Sequence, residues 1–200
     1  MSDLTYYQEV TLIEQPEISL GFIWAKLYMQ LHLALADIRT KKGISNIGVS
    51  FPEYQKSAGK FPLGTKLRVF GVSKECLEEM NLVEWLSRLS DYVHVMKEPR
   101  KIPSRLVKSY AIFSRKEVKS GAERLARRRV KRDPSMTYEE ALRRASMVVR
   151  ECNLPYVNIK SLTSNHSFKL FIEKTELDQA EGPLEFTSYG LSNGSAVPIF

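Results

Sequence analysis

Ser19-Leu-Gly-Phe-Ile-Trp-Ala-Lys-Leu-Tyr-Met-Gln-Leu-His-Leu-Ala-Leu-Ala-Asp-Ile38 sets the first half of the fold. Leu20, Ile23, Leu27, Leu31, Leu35 and Ile38 recur at the spacing of one helical face, and Ser19, following Pro16, is placed to cap the first turn. Upstream, Tyr6, Val10 and Leu12 alternate with polar neighbours as a strand. Downstream, Ile44 to Phe51 has strand character, a Pro- and Gly-punctuated loop spans 52–64, and Lys66 to Gly71 is the next strand. A second helix should follow, capped by Ser73 and burying Leu77, Met80, Val83, Leu86 and Leu89; Tyr92 to Met96 then alternates as a final strand. The order β-α-β-β-α-β is the pattern of a ferredoxin-like unit.

The fold class expected is therefore α+β, in two parts. Residues 1–97 form the ferredoxin-like domain, 98–104 (Pro99 and Pro103 among basic residues) are a linker, and 105–200 form a second α+β domain. That second part reads as a strand over Leu106 to Ser114, an arginine-rich helix over 121–133, and a break at Asp133 and Pro134. Thr137 with Glu140 makes a capping box opening a helix that ends near Cys152. Strands are expected at Tyr156 to Ser161, Phe168 to Ile172 and Leu184 to Thr187, before a Gly- and Ser-rich tail closing on Val197 to Phe200.

With 200 residues and 43% hydrophobic content the chain can bury a sizeable core. It has no apolar run of membrane-spanning length and no secretory leader pattern at its start, so a soluble, cytoplasmic protein is expected. Cys76 and Cys152 stand far apart and are read as two reduced thiols rather than a disulfide or a zinc knuckle. The net charge is +7. Between Arg115 and Arg132 nine basic residues face two acidic ones, so this one segment carries the whole excess. Its partner should be a polyanion.

Arg124, Arg127, Arg128, Lys131 and Arg132 fall on one face of the expected helix, while Ala122, Leu125 and Ala126 fall on another, where they can pack. A solvated helix face normally interleaves glutamate with lysine. This row instead crowds like charges, which repel until an anion binds. Charge alone leaves DNA and RNA open: an arginine helix suits the major groove of DNA, and it enters the deep groove of RNA where a loop or stem end opens it.

The acidic residues form no paired cluster of the kind that holds two metals, and there is no Gly-rich phosphate loop, so the reading calls for no metal and no cofactor. RNA carries its own nucleophile in the 2′-hydroxyl and needs only a base and positioning groups. The histidines are His32, His94 and His166. His94 belongs to a strand and faces away from the core. His32 borders the first helix's apolar stripe, and His166 lies in a hydroxyl-rich loop; composition leaves these two as rivals.

Lys26-Leu-Tyr-Met-Gln-Leu-His-Leu-Ala-Leu35, Asn46-Ile-Gly-Val-Ser-Phe-Pro52, Lys119-Ser-Gly-Ala-Glu-Arg-Leu-Ala-Arg-Arg128, Phe168-Lys-Leu-Phe-Ile172 and Ser188-Tyr-Gly-Leu-Ser192 occur in that order over nearly the whole chain. Together they resemble the CRISPR-associated endoribonucleases of the type I-F system, which trim repeat transcripts into guide RNAs. The resemblance implies that His32 is the general base on the 2′-hydroxyl. It implies that Ser161 positions the ribose with Thr163 as a second hydroxyl, and that Tyr189 orients the histidine or the sugar. It also implies that Phe168 stacks on a base beside the cut, whereas Phe171 reads as core.

The same resemblance lays the arginine helix in the major groove of a repeat hairpin, with Arg124, Arg127, Arg128, Lys131 and Arg132 on the backbone and Lys119 as a further RNA-binding residue. Arg115 then reads a guanine edge. At the next reading position the family has a glutamine and this chain has Glu117, so either the base pair differs or the contact is absent. A metal-independent endoribonuclease is implied, cutting at the 3′ base of the hairpin and keeping its product. The protein would be a monomer when free and a subunit of the type I-F surveillance complex when loaded. A non-catalytic hairpin-binding subunit and a DNA-binding regulator are the rival readings.

Overall fold

The computed structural model describes residues 4–55, 61–118, 122–148, 152–161, 166–180 and 182–200. The first elements are β1 (Tyr6–Leu12), α1 (Leu20–Lys42), β2 (Gly48–Ser50), β3 (Lys66–Gly71), α2 (Lys74–Met80), α3 (Leu82–Trp85) and β4 (Val93–Val95). The strands lie in the order β2-β3-β1-β4, antiparallel at each junction, with Val10 opposite Leu67 on one side and Val95 on the other. Helix α1 forms where the sequence places it. Ser19 accepts a hydrogen bond from the Phe22 N–H at 3.3 Å, and Gly43, at φ 69°, turns the chain out after the last turn. Ile23, Trp24, Leu27, Leu31, Leu35 and Ile38 are its buried row.

Three expectations are corrected. The single helix after Ser73 is broken at Asn81, which adopts φ 47° and donates its N–H to the carbonyls of Leu77 and Glu78. Asparagine tolerates this left-handed conformation, and the helix restarts out of phase, leaving Val83 41% exposed instead of buried. The stretch 98–104 is not purely a linker, because β5 (Arg100–Lys101) pairs with Tyr7 and Tyr6 along the edge of β1 beyond β4. Leu184 to Thr187 forms no strand. There the Ser195 hydroxyl accepts from the Glu185 N–H at 2.9 Å and donates to the Pro183 carbonyl at 2.6 Å, while Phe186 N–H bonds to the Ser45 carbonyl. These partners satisfy the backbone without a ladder.

A second sheet has the order β7 (Tyr156–Lys160), β8 (Ser167–Leu177), β6 (Ser109–Lys116) and β9 (Val197–Ile199), antiparallel between β7 and β8 and between β6 and β9. Contact density divides the chain into two compact units, Met1–Arg115 with Pro155–Phe200, and Lys116–Leu154. The first unit thus spans both sides of the 98–104 stretch. A shared core explains why: the Phe51 and Phe113 rings, from either side of it, meet edge to face at 5.3 Å. The second unit is a helical hairpin of α4 (Ala122–Arg132) and α5 (Tyr138–Val148). Ala126, Ala141 and Ala145 are its buried contact, and Thr137 caps α5 by accepting from the Glu140 N–H.

Candidate active site

His32 lies on α1 at the margin of the buried row and is half-buried. Its Nδ1 is 2.8 Å from the Ser188 carbonyl oxygen. A carbonyl can only accept, so Nδ1 carries the hydrogen, and in the neutral ring Nε2 keeps an unshared pair able to take a proton. The ring lies flat on Tyr189, with centroids 4.1 Å apart and planes 7° from parallel. One contact fixes the tautomer, and the other fixes the plane.

The partner of both contacts is a tight turn. Gly190 N–H bonds to the Thr187 carbonyl at 2.9 Å, Tyr189 N–H to the Thr187 hydroxyl, and Thr187 N–H to the Leu191 carbonyl. Gly190 sits at φ 69°, a conformation that glycine alone adopts without strain. The turn is tied to both sheets, since Val49 N–H reaches the Gly190 carbonyl at 3.0 Å and Ser192 N–H reaches the Phe113 carbonyl at 2.9 Å.

The Tyr189 phenol is held above its ordinary pKa by burial, an effect opposed by the positive charge of Arg115. Arg115, exposed at the end of β6, also lies with its guanidinium 5.4 Å from the centre of the Phe168 ring. Phe168 is half-buried on β8, opposite Ile159. His32 is thus stacked on Tyr189, and the charge of Arg115, which also faces Phe168, is felt at the Tyr189 phenol. Ser161 directly follows β7 and, by strand alternation, continues the inward row of Val157 and Ile159; its N–H bonds to the His166 carbonyl at 2.8 Å. His166 itself is exposed. Phe171 is buried. Thr163 and Lys119 lie outside the described residues.

In the second unit Glu117 is exposed, and so are Arg127, Arg128, Lys131 and Arg132 on α4, the helix that also carries Arg124. Arg127 pairs with Glu123 one turn earlier at 3.1 Å. The roles of Val49 and of the Ser188 carbonyl have no signal in the sequence, because backbone acceptors and packing partners leave no side-chain signature.

With a histidine-bearing helix, a glycine-dependent turn and a helical hairpin rich in arginine, the chain falls among the CRISPR-associated proteins when it is compared with known families. The family described as CRISPR-associated protein (Cas_Csy4) matches residues 7–200, and the chain belongs to it. It is 34% identical over 198 residues to the CRISPR-associated endonuclease Cas6/Csy4 of Escherichia coli (strain UTI89 / UPEC), covering 98% of this chain and 100% of that one. The same identity and coverage hold for the CRISPR-associated endonuclease Cas6/Csy4 of Pseudomonas aeruginosa (strain UCBPP-PA14).

Proposed function

We propose that this protein is a metal-independent endoribonuclease that cuts CRISPR repeat RNA at the 3′ base of a hairpin. His32 Nε2 removes the proton of the 2′-hydroxyl, and the 2′-oxygen attacks the adjacent phosphorus in line. The bond from phosphorus to the 5′-oxygen breaks, and that oxygen takes up a proton. The products are a 2′,3′-cyclic phosphate and a 5′-hydroxyl. Ser161 and Thr163 hold the ribose, Phe168 stacks beside the cut, Tyr189 keeps the imidazole in plane, and Arg115 reads a guanine.

The observation that carries this reading is the hydrogen bond from Nδ1 to the Ser188 carbonyl at 2.8 Å, which fixes the tautomer a general base requires. The relatives, named CRISPR-associated endonucleases and matched along their full length, support the nuclease activity. In this reading residues 1–97 act as a ferredoxin-like domain, in keeping with the strand order β2-β3-β1-β4. The arginine row of α4 lies in the major groove of the stem, contacting phosphates that position rather than specify. The cut hairpin stays bound, and the protein joins the surveillance complex as the subunit holding that end of the guide RNA.

The test is incubation with the repeat RNA in EDTA, followed by analysis of the new ends. Cleavage should persist in chelator and stop when the ribose upstream of the cut is replaced by deoxyribose. Continued cutting of the deoxy substrate, or loss of cutting in chelator, overturns the proposal.

A further inference from the structure

We propose that Tyr28 is a positioning residue for the His32 imidazole, its hydroxyl pinning the turn whose Ser188 carbonyl holds Nδ1. The inference rests on the reading of His32 as the general base.

In the turn that begins at Thr187, that residue's carbonyl is used by the Gly190 N–H. The next two carbonyls, of Ser188 and Tyr189, are not part of the turn's own bonding. Each accepts from α1: Ser188 from His32 Nδ1 at 2.8 Å, and Tyr189 from the Tyr28 hydroxyl at 2.9 Å. Tyr28 and His32 stand one helical turn apart and so share a face. Two side chains of one rigid helix therefore hold two consecutive peptides, a two-point clamp that fixes rotation as well as distance. With one point removed, the segment remains tied through Phe186, Gly190 and Ser192 but can pivot between those ties.

The environment makes the Tyr28 contact durable. Its side chain is 0% exposed, and its ring packs parallel to Phe51, 16° from coplanar with centroids 6.1 Å apart. No water reaches this hydroxyl to replace the bond, so losing the donor leaves the Tyr189 carbonyl unsatisfied. Burial, with a smaller contribution from Tyr189, drives the Tyr28 phenol far above its ordinary pKa, so it remains a donor at every pH where RNA survives. The residue that stacks on His32 is thus itself held by a second tyrosine beneath it.

The decisive variant is Tyr28→Phe, which keeps the ring and removes only the hydroxyl, read against Leu27→Val, a core truncation on the same helix that leaves the clamp intact. Affinity for an uncleavable hairpin carrying the upstream deoxyribose should stay within about twofold, while single-turnover cleavage at saturating protein falls about tenfold. Proton–nitrogen correlation spectra of histidine-labelled protein should show the His32 Nδ1 hydrogen shifting toward Nε2 or exchanging faster in Tyr28→Phe and unchanged in Leu27→Val. Wild-type spectra and cleavage in Tyr28→Phe, or the same changes in Leu27→Val, overturn the proposal. The spectra are recorded without RNA, so they report on Tyr28 even if the wild-type protein cuts no repeat RNA, an outcome that would sink the nuclease reading instead.

Discussion

A Cβ built on Gly190 falls 2.5 Å from Cγ1 of Val49, closer than real side chains approach. The turn beneath His32 thus fits against β2 only because residue 190 has no side chain, and its φ of 69° adds a second reason. Gly190→Ala should destabilise the protein by about 2 kcal/mol or more, through strain and overpacking together. It should also slow cleavage, because the Ser188 carbonyl and the Tyr189 ring move with the turn. Val49→Ala in the same chain relieves the contact but not the dihedral strain, so urea unfolding midpoints should show partial recovery. Full recovery would mean that the backbone conformation costs nothing.

His32→Asn separates the two jobs of the imidazole. An asparagine amide can still donate toward the Ser188 carbonyl, where Nδ1 now lies at 2.8 Å, but it offers no base. Cleavage should fall by a factor of about 10² to 10⁴. Hairpin affinity and thermal stability should remain near those of the unaltered protein. His32→Ala should lose cleavage equally and some stability as well, since it leaves the carbonyl unpaired. Residual cutting by His32→Asn at more than a tenth of the normal rate would remove His32 from the chemistry.

The elements that carry this candidate site are legible in the sequence. The spacing from Leu20 to Ile38 located α1 and put His32 at the edge of its buried row, and the charge excess after Arg115 located the exposed helix. What the sequence hid was non-local or carried by the backbone. Ser188 contributes a carbonyl, which every residue has. The break at Asn81 depends on one left-handed residue inside an otherwise continuous apolar stripe. The failed strand at Leu184 to Thr187 has strand-like residues, but a single hydroxyl ten positions later captures the Glu185 N–H. Periodicity reports which residues want burial, not which partners complete the hydrogen bonding.

Cys76 gives a pH dependence of known sign. Burial first, then the nearby Glu79 carboxylate, pushes its thiol from 9.0 up to about 11. Unfolding lets the thiol ionise more readily, so its contribution to stability is complete below pH 9 and declines as pH rises toward 11. Cys76→Ala should flatten that part of the pH–stability curve relative to the parent. In the native protein Cys152, which is partly exposed, should react with iodoacetamide at pH 8 well before the buried Cys76. Equal labelling rates would contradict the burial of Cys76.

The arginine row of α4 is not uniform, and the difference can be read in salt. Arg127 is already paired with Glu123 at 3.1 Å, both side chains about 70% exposed. Arg128 and Lys131 are exposed on the same helix. If the row binds RNA phosphates, each side chain that meets one releases counterions, and removing it lowers the slope of log affinity against log salt by about 1. Arg128→Ala and Lys131→Ala should each do this with little change in stability. Arg127→Ala should weaken binding further, because it also frees the Glu123 carboxylate to repel the backbone. Glu123→Gln should then strengthen binding, most visibly at low salt, where exposed charges are least screened. A Glu123→Gln protein that binds the hairpin no more tightly than the parent at 50 mM salt, with Arg128→Ala leaving the slope unchanged, would show that this face of α4 does not meet the RNA.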